Sequence, residues 1–472
     1  MIQIQSAPKQ FEFQGLGRRT VVAGFDGGTI SSEGGALLLR ELDRRCRILD
    51  AFAGCFVDRR DASYREHPVH RLVAQRVYGL CLGYEDLNDH EQLRYDPLFA
   101  TLCEQHDVEG RCRVRPADVG KALAGKATLQ RLESTPAAGA DADRYHKISH
   151  EPERIREFFI EHFLSHYNRG KRPKQIVIDL DATDDPLHGN QEGRFFHGYY
   201  DRYCYLPLYA FCDGYLLAAE LRQANIDACA GADEVLERIV TAVRLKWPKT
   251  RIIVRADSGF AREWLMGWCE EHRVEYVLGL ARNKRLRRAI GKSIREATEL
   301  FASSNRAARV YEDLTWRTRN SWSRSRRVVA KAEYIAGKEN PRFVVTSLSP
   351  EQIPAEQLYE ALYCARGDME NRIKEQQLYL FADRTSAATM RANQLRLWFS
   401  SVAYLLMHEL RQIALVNTEL QTAQCHTIRT KILKIGARVT VSTRRVVVHL
   451  SSGYPYQSLF EQSLRRIQMA FP

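Results

Sequence analysis

The sequence predicts an α/β fold: a mixed-sheet core with a mostly helical region before it, a β-rich insertion inside it and a small basic region after it. Two observations predict this. From about residue 33 to 135 apolar residues recur at three and four, whereas from residue 175 runs such as "QIVIDLD" carry the signature of buried strands. The later runs follow in the order three strands, helix, strand, helix, strand. That order extends a hairpin-containing sheet by right-handed crossovers.

Taken in chain order, "GGALLLRELDRRCRILDAF", "HRLVAQRVYGLCLGY" and "KALAGKATLQRLES" read as helical. The last has a helix–Gly–helix pattern that suits a helix-turn-helix, with Thr128, Gln130 and Arg131 facing DNA. "STPAAGADADRYHK" reads as a linker, and a helix follows from about Pro152 to Tyr167. "RYCYLPLYAFCDGYLLAAELRQAN" reads as two strands joined at Asp213-Gly214, a dipeptide that favours a tight hairpin turn. Val235, Leu236, Ile239, Val240 and Val243 give the next helix one apolar face, and Pro248 stops it. Residues 281 to about 355 break this rhythm with a strongly basic stretch and the β-like runs "RRVVAKAEYI" and "RFVVTSL". Helix resumes at "PAEQLYEALYCARGDMENRIKEQQ", and the tail reads as a basic hairpin and a short helix.

These changes divide the chain into five parts. A helical N-terminal DNA-binding region (1–150) precedes a first core segment (151–280), a basic β-rich insertion (281–355), a second core segment (356–420) and a basic C-terminal region (421–472). At 472 residues the chain exceeds what one compact core holds. It has no apolar run long enough for a membrane span, and its start lacks the pattern of a secretory signal. Eleven cysteines, with no C-x-x-C pair, argue against a disulfide framework and a thiolate zinc site and suit the cytoplasm. The net charge of +12 favours a polyanionic partner, nucleic acid before a membrane surface.

Against that charge, "IVIDLDATDD" concentrates carboxylates at the mouth of an apolar strand. Alternation places Asp179 and Asp181 on one face of it. Asp257, in "RIIVRADSGF", follows another strand, so two strand ends deliver a carboxylate to the crevice where open α/β sheets bind ligands. Tyr363, Arg366, Glu370 and Lys374 are spaced three, four and four apart, on one helical face. Converging carboxylates without thiol or imidazole suit a hard cation such as Mg²⁺, and two such ions support phosphoryl transfer. Asp184 and Asp185, before Pro186, read as turn residues. The pairs Gly27-Gly28 and Gly34-Gly35 also read as turns, since no Gly-Lys-Ser/Thr follows them, and no nucleotide cofactor is expected. His162 and His166 read as a solvated helix face. The aromatics at 195 to 205 read as hairpin packing.

With "DLDATDD", "RADSGF" and "YCARGDMENRIKE" in this order, the chain resembles a DDE transposase with an RNase H-like core. More narrowly it resembles the transposases of the bacterial insertion-sequence family numbered 1380, related to the Tn-five transposase group. The likeness extends to "FDGGTISSEGGALLLREL" and "HGNQEGRFFHGYYDRYCYLPLY". It implies Asp181, Asp257 and Glu370 as the catalytic metal-binding triad, with Asp179 an alternative to Asp181, and two Mg²⁺ ions, with Mn²⁺ a substitute. It implies Tyr363, Arg366 and Lys374 as DNA contacts; the larger family's lysine position holds Gln377, and Lys374 stands one turn after Glu370. In the insertion, Trp316 and Trp322 among Arg317 and Arg324 either stack on a flipped base, as the resemblance implies, or pack the insertion's own sheet. The implied activity is binding of terminal inverted repeats, cleavage of the element's ends and joining of the 3′-hydroxyls to target DNA. The partners are double-stranded DNA and a second copy of the chain when DNA is bound, in a bacterial, nucleoid-associated setting. The rival functions are a nuclease without strand transfer and a catalytically silent DNA-binding protein.

Overall fold

The computed structural model describes residues 10–137, 147–335 and 337–470. Most of the linker expected at 134–147, and the first nine residues, lie outside them. The described chain forms two compact units, one built from residues up to Glu133 and from Val402 onward, the other centred on Ser149–Ser401.

The second unit holds a nine-stranded mixed sheet. Its strands in chain order are β1 (Gln175–Ala182), β2 (Leu208–Cys212), β3 (Tyr215–Glu220), β4 (Arg251–Ala256), β5 (Glu275–Leu280), β6 (Ala308–Trp316), β7 (Arg326–Ile335) and β8 (Arg342–Thr346). They lie in the order β3-β2-β1-β4-β5-β8-β7-β6, with Lys338–Glu339 pairing β7. β1, β4 and β5 are parallel, and every other pairing is antiparallel. The α/β class and the strand order expected from the sequence are therefore present, and β6, β7 and β8 of the basic insertion continue the same sheet.

Alternation along the parallel strands creates two distinct faces. Ile176, Ile178 and Leu180 on β1, with Ile252, Val254 and Ala256 on β4, enter a large apolar core. That core also takes Val235, Leu236, Ile239, Val240 and Val243 of the helix Ala232–Lys246. Removing such side chains from water contributes roughly 1.5–3 kcal/mol each. The opposite face carries Ile253, Val277, Val329 and Val344 under Leu358 and Tyr359. This face also carries the carboxylates.

Asp213 (φ 47°) and Gly214 (φ 86°) both take left-handed conformations between β2 and β3, the geometry a two-residue hairpin requires. The preceding strand is shorter than the sequence suggests. Arg202–Tyr205 pairs instead with Asp185–Pro186 and Phe195–His197 in a separate small sheet. Pro207, which has no N–H to donate, lies between Arg202–Tyr205 and β2.

In the first unit, Leu37–Cys46 and Ile48–Ala53 are separate helices, broken at Arg47, whose φ is 55°. Gly34 and Gly35 are not simple turns. A Cβ on Gly35 would lie 1.8 Å from the Ile432 carbonyl oxygen, so the pair allows two backbones to touch. The helix-turn-helix is half present: Lys126–Glu133 is helical, but Lys121–Gly125 is not. The Gln75 side chain there donates to the Ala124 carbonyl and accepts from its N–H, which holds the segment out of helix. The tail forms the expected hairpin, Ala437–Val441 with Val446–Leu450, then the helix Gln457–Ala470.

Candidate active site

The parallel register of β1 and β4 pairs Asp179 with Arg255. Asp181 and Asp257 each lie two residues further on, at the carboxyl ends of adjacent strands. Asp257 caps the short turn Ser258–Phe260, its Oδ1 accepting the Gly259 N–H at 2.8 Å. On the next strand a Cβ at Gly279 would stand 2.6 Å from Tyr363 Oη and 2.8 Å from Ser258 N. Glycine there lets the phenol reach the Asp257 turn.

Asp179 and Asp181 share a face, yet their surroundings differ. Arg255 grips Asp179 through Nε at 2.5 Å and Nη2 at 2.7 Å, and its Nη1 donates to the Leu362 carbonyl. Asp179 is thus committed to a buried ion pair that ties β1 to β4 and to the segment over the sheet. Asp181 opens instead into a cavity of about 690 Å³, together with Asp257, Arg366, Glu370, Lys374 and Gln377.

The segment carrying Tyr363, Arg366 and Glu370 is helical throughout, but its winding changes. Leu358–Tyr363 is π-helical, Cys364–Arg366 is 3₁₀ and Gly367–Leu380 is α. Such local changes of pitch are frequent at functional sites. The Arg366 guanidinium pairs with Glu370 and reaches Asp181 Oδ2 at 3.5 Å. Asp181, Asp257 and Glu370 all line this one cavity. Burial, reinforced by the charges of Asp257 and Glu370 and opposed by Arg366, pushes the Asp181 carboxyl up to about 7. A cation beside these carboxylates would oppose that shift and favour the ionised form.

Gln377 donates through Nε2 to Asp185 Oδ1 at 2.9 Å and to the Asp184 carbonyl at 3.1 Å. Asp185 is therefore not an exposed turn residue. It is fully buried, and burial pushes its carboxyl up to about 8. His197, Tyr199 and Tyr200 line the cavity wall, a role beyond the hairpin packing expected of this stretch. The signal was the density of aromatics beside the first aspartates.

The insertion's aromatics divide. Trp322 is 5% exposed and packs in the main core with Arg326 over its ring, so it presents no open face to a base. Trp316 is half-buried, with Arg285 stacked 4.7 Å from its ring centre. Arg317 and Arg324 are exposed; Arg317 donates to the Trp322 carbonyl, and Arg324 pairs with Glu270. His162 is buried beside Phe158 and Tyr215 and stacked on His166, so this pair is not a solvated face. Arg255 was missed in the sequence, although an arginine inside the apolar run "RIIVRAD" requires a buried partner.

The profile of the family described as "Transposase DDE domain group 1" matches residues 13–471. The chain belongs to this family. No curated protein matches the transposase significantly. Among solved structures it is similar to a piggyBac transposase synaptic complex with hairpin DNA, at 11% identity over 92% of this chain and 81% of that one, with a TM-score of 0.38. A likeness that distant assigns no residue a role.

DDE transposases are metal-dependent DNA-cleaving enzymes, and the cavity of this transposase fits that requirement. Its acidic lining consists of three carboxylates from three different elements, with no cysteine among the lining residues. Oxygen donors of this kind suit a hard divalent cation. Among the described residues, no helix is long and apolar enough to cross a membrane.

Proposed function

We propose that this transposase binds the terminal inverted repeats of a bacterial insertion sequence, cuts the element's ends and joins the freed 3′-hydroxyls to target DNA. The observation that carries this is the meeting of Asp181, Asp257 and Glu370 in one cavity with Arg366 and Lys374. Asp181, Asp257 and Glu370 hold divalent metal, Mg²⁺ by preference. When bound, such ions lower the pKa of an attacking water or hydroxyl and stabilise the leaving oxygen. Asp179 is assigned to structure, because both of its oxygens are taken by Arg255.

The cationic side chains position the phosphodiester. Arg366 and Lys374 neutralise phosphate oxygens, and Tyr363 supports Arg366 from beside Gly279. In cleavage, water oxygen forms a bond to phosphorus and the bond to the 3′-oxygen breaks, which leaves a 3′-hydroxyl. In joining, that hydroxyl forms the new bond to a target phosphorus and displaces another 3′-oxygen. One bond is exchanged for one, so no external energy source is needed. Arg317, Arg324 and the accessible part of Trp316 contact DNA in the insertion. Two copies act together, one on each end, in the bacterial cytoplasm. The narrower likeness to the insertion-sequence family numbered 1380 belongs to this proposal, as does the five-part division of the chain.

The test is cleavage of a labelled duplex bearing the element's terminal repeat, in Mg²⁺ and in EDTA. Wild type is expected to nick at the repeat boundary only with metal, and to move the labelled end into a second duplex. Asp257→Ala and Glu370→Ala are expected to bind the repeat without cutting it. Binding without cutting by wild type would point instead to a silent DNA-binding protein.

A further inference from the structure

The strongest charge concentration outside the cavity lies just beyond β5. Between Glu275 and Glu296 the chain carries Arg282, Lys284, Arg285, Arg287, Arg288, Lys292 and Arg295 and no acidic residue at all. All seven are exposed. Arg287 pairs with Glu339 at 2.6 Å, and Arg285 stacks on Trp316. Among the described residues none of the other five forms an ion pair or a ring contact, although ion pairs are plentiful in the rest of this unit.

This is not a loose basic tail. The helices α1 (Lys284–Ala289) and α2 (Gly291–Ser304) are anchored by Leu286, Ile290, Ile294 and Ala297, all buried against the sheet. The Asn283 side chain caps α1 by accepting the N–H groups of Arg285 and Leu286. The cations therefore stand on a fixed scaffold, and their mutual repulsion persists in the folded protein. Arg282, Lys284 and Arg287 also line a cleft of about 530 Å³ with Asn283.

Position adds a second argument. β1, β4 and β5 are parallel, so Arg282 leaves the sheet at the end where β1 and β4 deliver Asp181 and Asp257. A fixed set of exposed cations that begins at that end, five of them with no ion pair or ring partner among the described residues, is complementary to a chain of phosphates.

We propose that the basic face of residues 282–295 binds the phosphate backbone of duplex DNA outside the cavity, independently of base sequence. This rests on the transposase function proposed above. Phosphate contacts set position and affinity but carry no sequence information, so the face would hold flanking or target DNA as readily as the repeat.

The test compares wild type with Arg282→Gln/Lys284→Gln/Arg288→Gln, which spares Arg285 and Arg287 and their partners. Fluorescence anisotropy is read with a terminal-repeat duplex and a scrambled duplex of equal length, from about 50 to 200 mM salt. The expected result is weaker binding to both duplexes by the same factor. The slope of log affinity against log salt should fall by roughly 2–3, about 0.9 for each phosphate contact removed. The melting temperature should not change. An unchanged slope overturns the proposal and makes the face a solvated surface, and a loss confined to the repeat overturns its sequence independence. Metal-dependent cleavage by wild type is scored separately. Cleavage with an unchanged slope refutes only the basic face, whereas a changed slope without cleavage refutes only the catalytic function.

Discussion

Gln377 Nε2 donates to Asp185 Oδ1 at 2.9 Å, which ties the helix that carries Glu370 to the loop that follows Asp181. Asp185 Oδ2 has no partner, and the hydroxyl of buried Tyr209 has none either. The link thus sits among buried polar atoms, two helical turns beyond Glu370. Through this bond Gln377 holds Asp185 to the helix that carries Glu370.

That burial sets a pH dependence. The Asp185 carboxyl rises from 3.8 to about 8 on folding, chiefly through burial. The native state therefore binds the proton more tightly than the unfolded chain, and stability falls as pH rises from about 4 to about 8. The slope from this one group is at most about 1.4 kcal/mol per pH unit. Asp185→Asn keeps an acceptor for Gln377 but cannot ionise. Denaturant melts at pH 5, 6, 7 and 8 should show a shallower decline for the variant, which becomes the more stable protein at the alkaline end.

The two aspartates of β1 should separate cleanly. Asp179→Ala leaves the buried Arg255 without a counter-charge and should cost about 3–5 kcal/mol of stability. Asp181→Asn should leave denaturant stability close to wild type and abolish cleavage of the repeat duplex. Equal destabilisation by both substitutions would contradict the division between a structural and a catalytic carboxylate.

Gly279→Ala places a methyl group against Tyr363 Oη and the Ser258 N–H, both under 3 Å from its Cβ. Overpacking of this kind typically costs 1–3 kcal/mol. Because the displaced groups flank Asp257 and Arg366, cleavage should fall further than stability does. Single-turnover cleavage beside a thermal melt measures both.

The tryptophans of the insertion should behave differently. Trp322→Ala empties a core position and should cost roughly 3–5 kcal/mol of stability. Trp316→Ala, at a half-buried position packed against the core, should cost less stability than Trp322→Ala and weaken repeat binding by about 1–3 kcal/mol if its ring stacks on a base. Anisotropy on a duplex with an unpaired base at the repeat end decides this, and unaltered affinity would rule stacking out.

What the sequence determined by itself was local. Strand alternation put Asp179 and Asp181 on one face, Asp213-Gly214 fixed the hairpin, and helical spacing aligned Arg366 with Glu370. Each depends on residues a few positions apart, where backbone periodicity is decisive. Only the tertiary structure gave Asp179 and Asp181 different surroundings, because Arg255, on another strand, pairs with Asp179 while Asp181 lines the cavity. It also buried Asp185 and Trp322 and held Lys121–Gly125 out of helix through Gln75. In each case a distant partner or the surrounding core overrode the local pattern, and burial reversed what polarity alone implied.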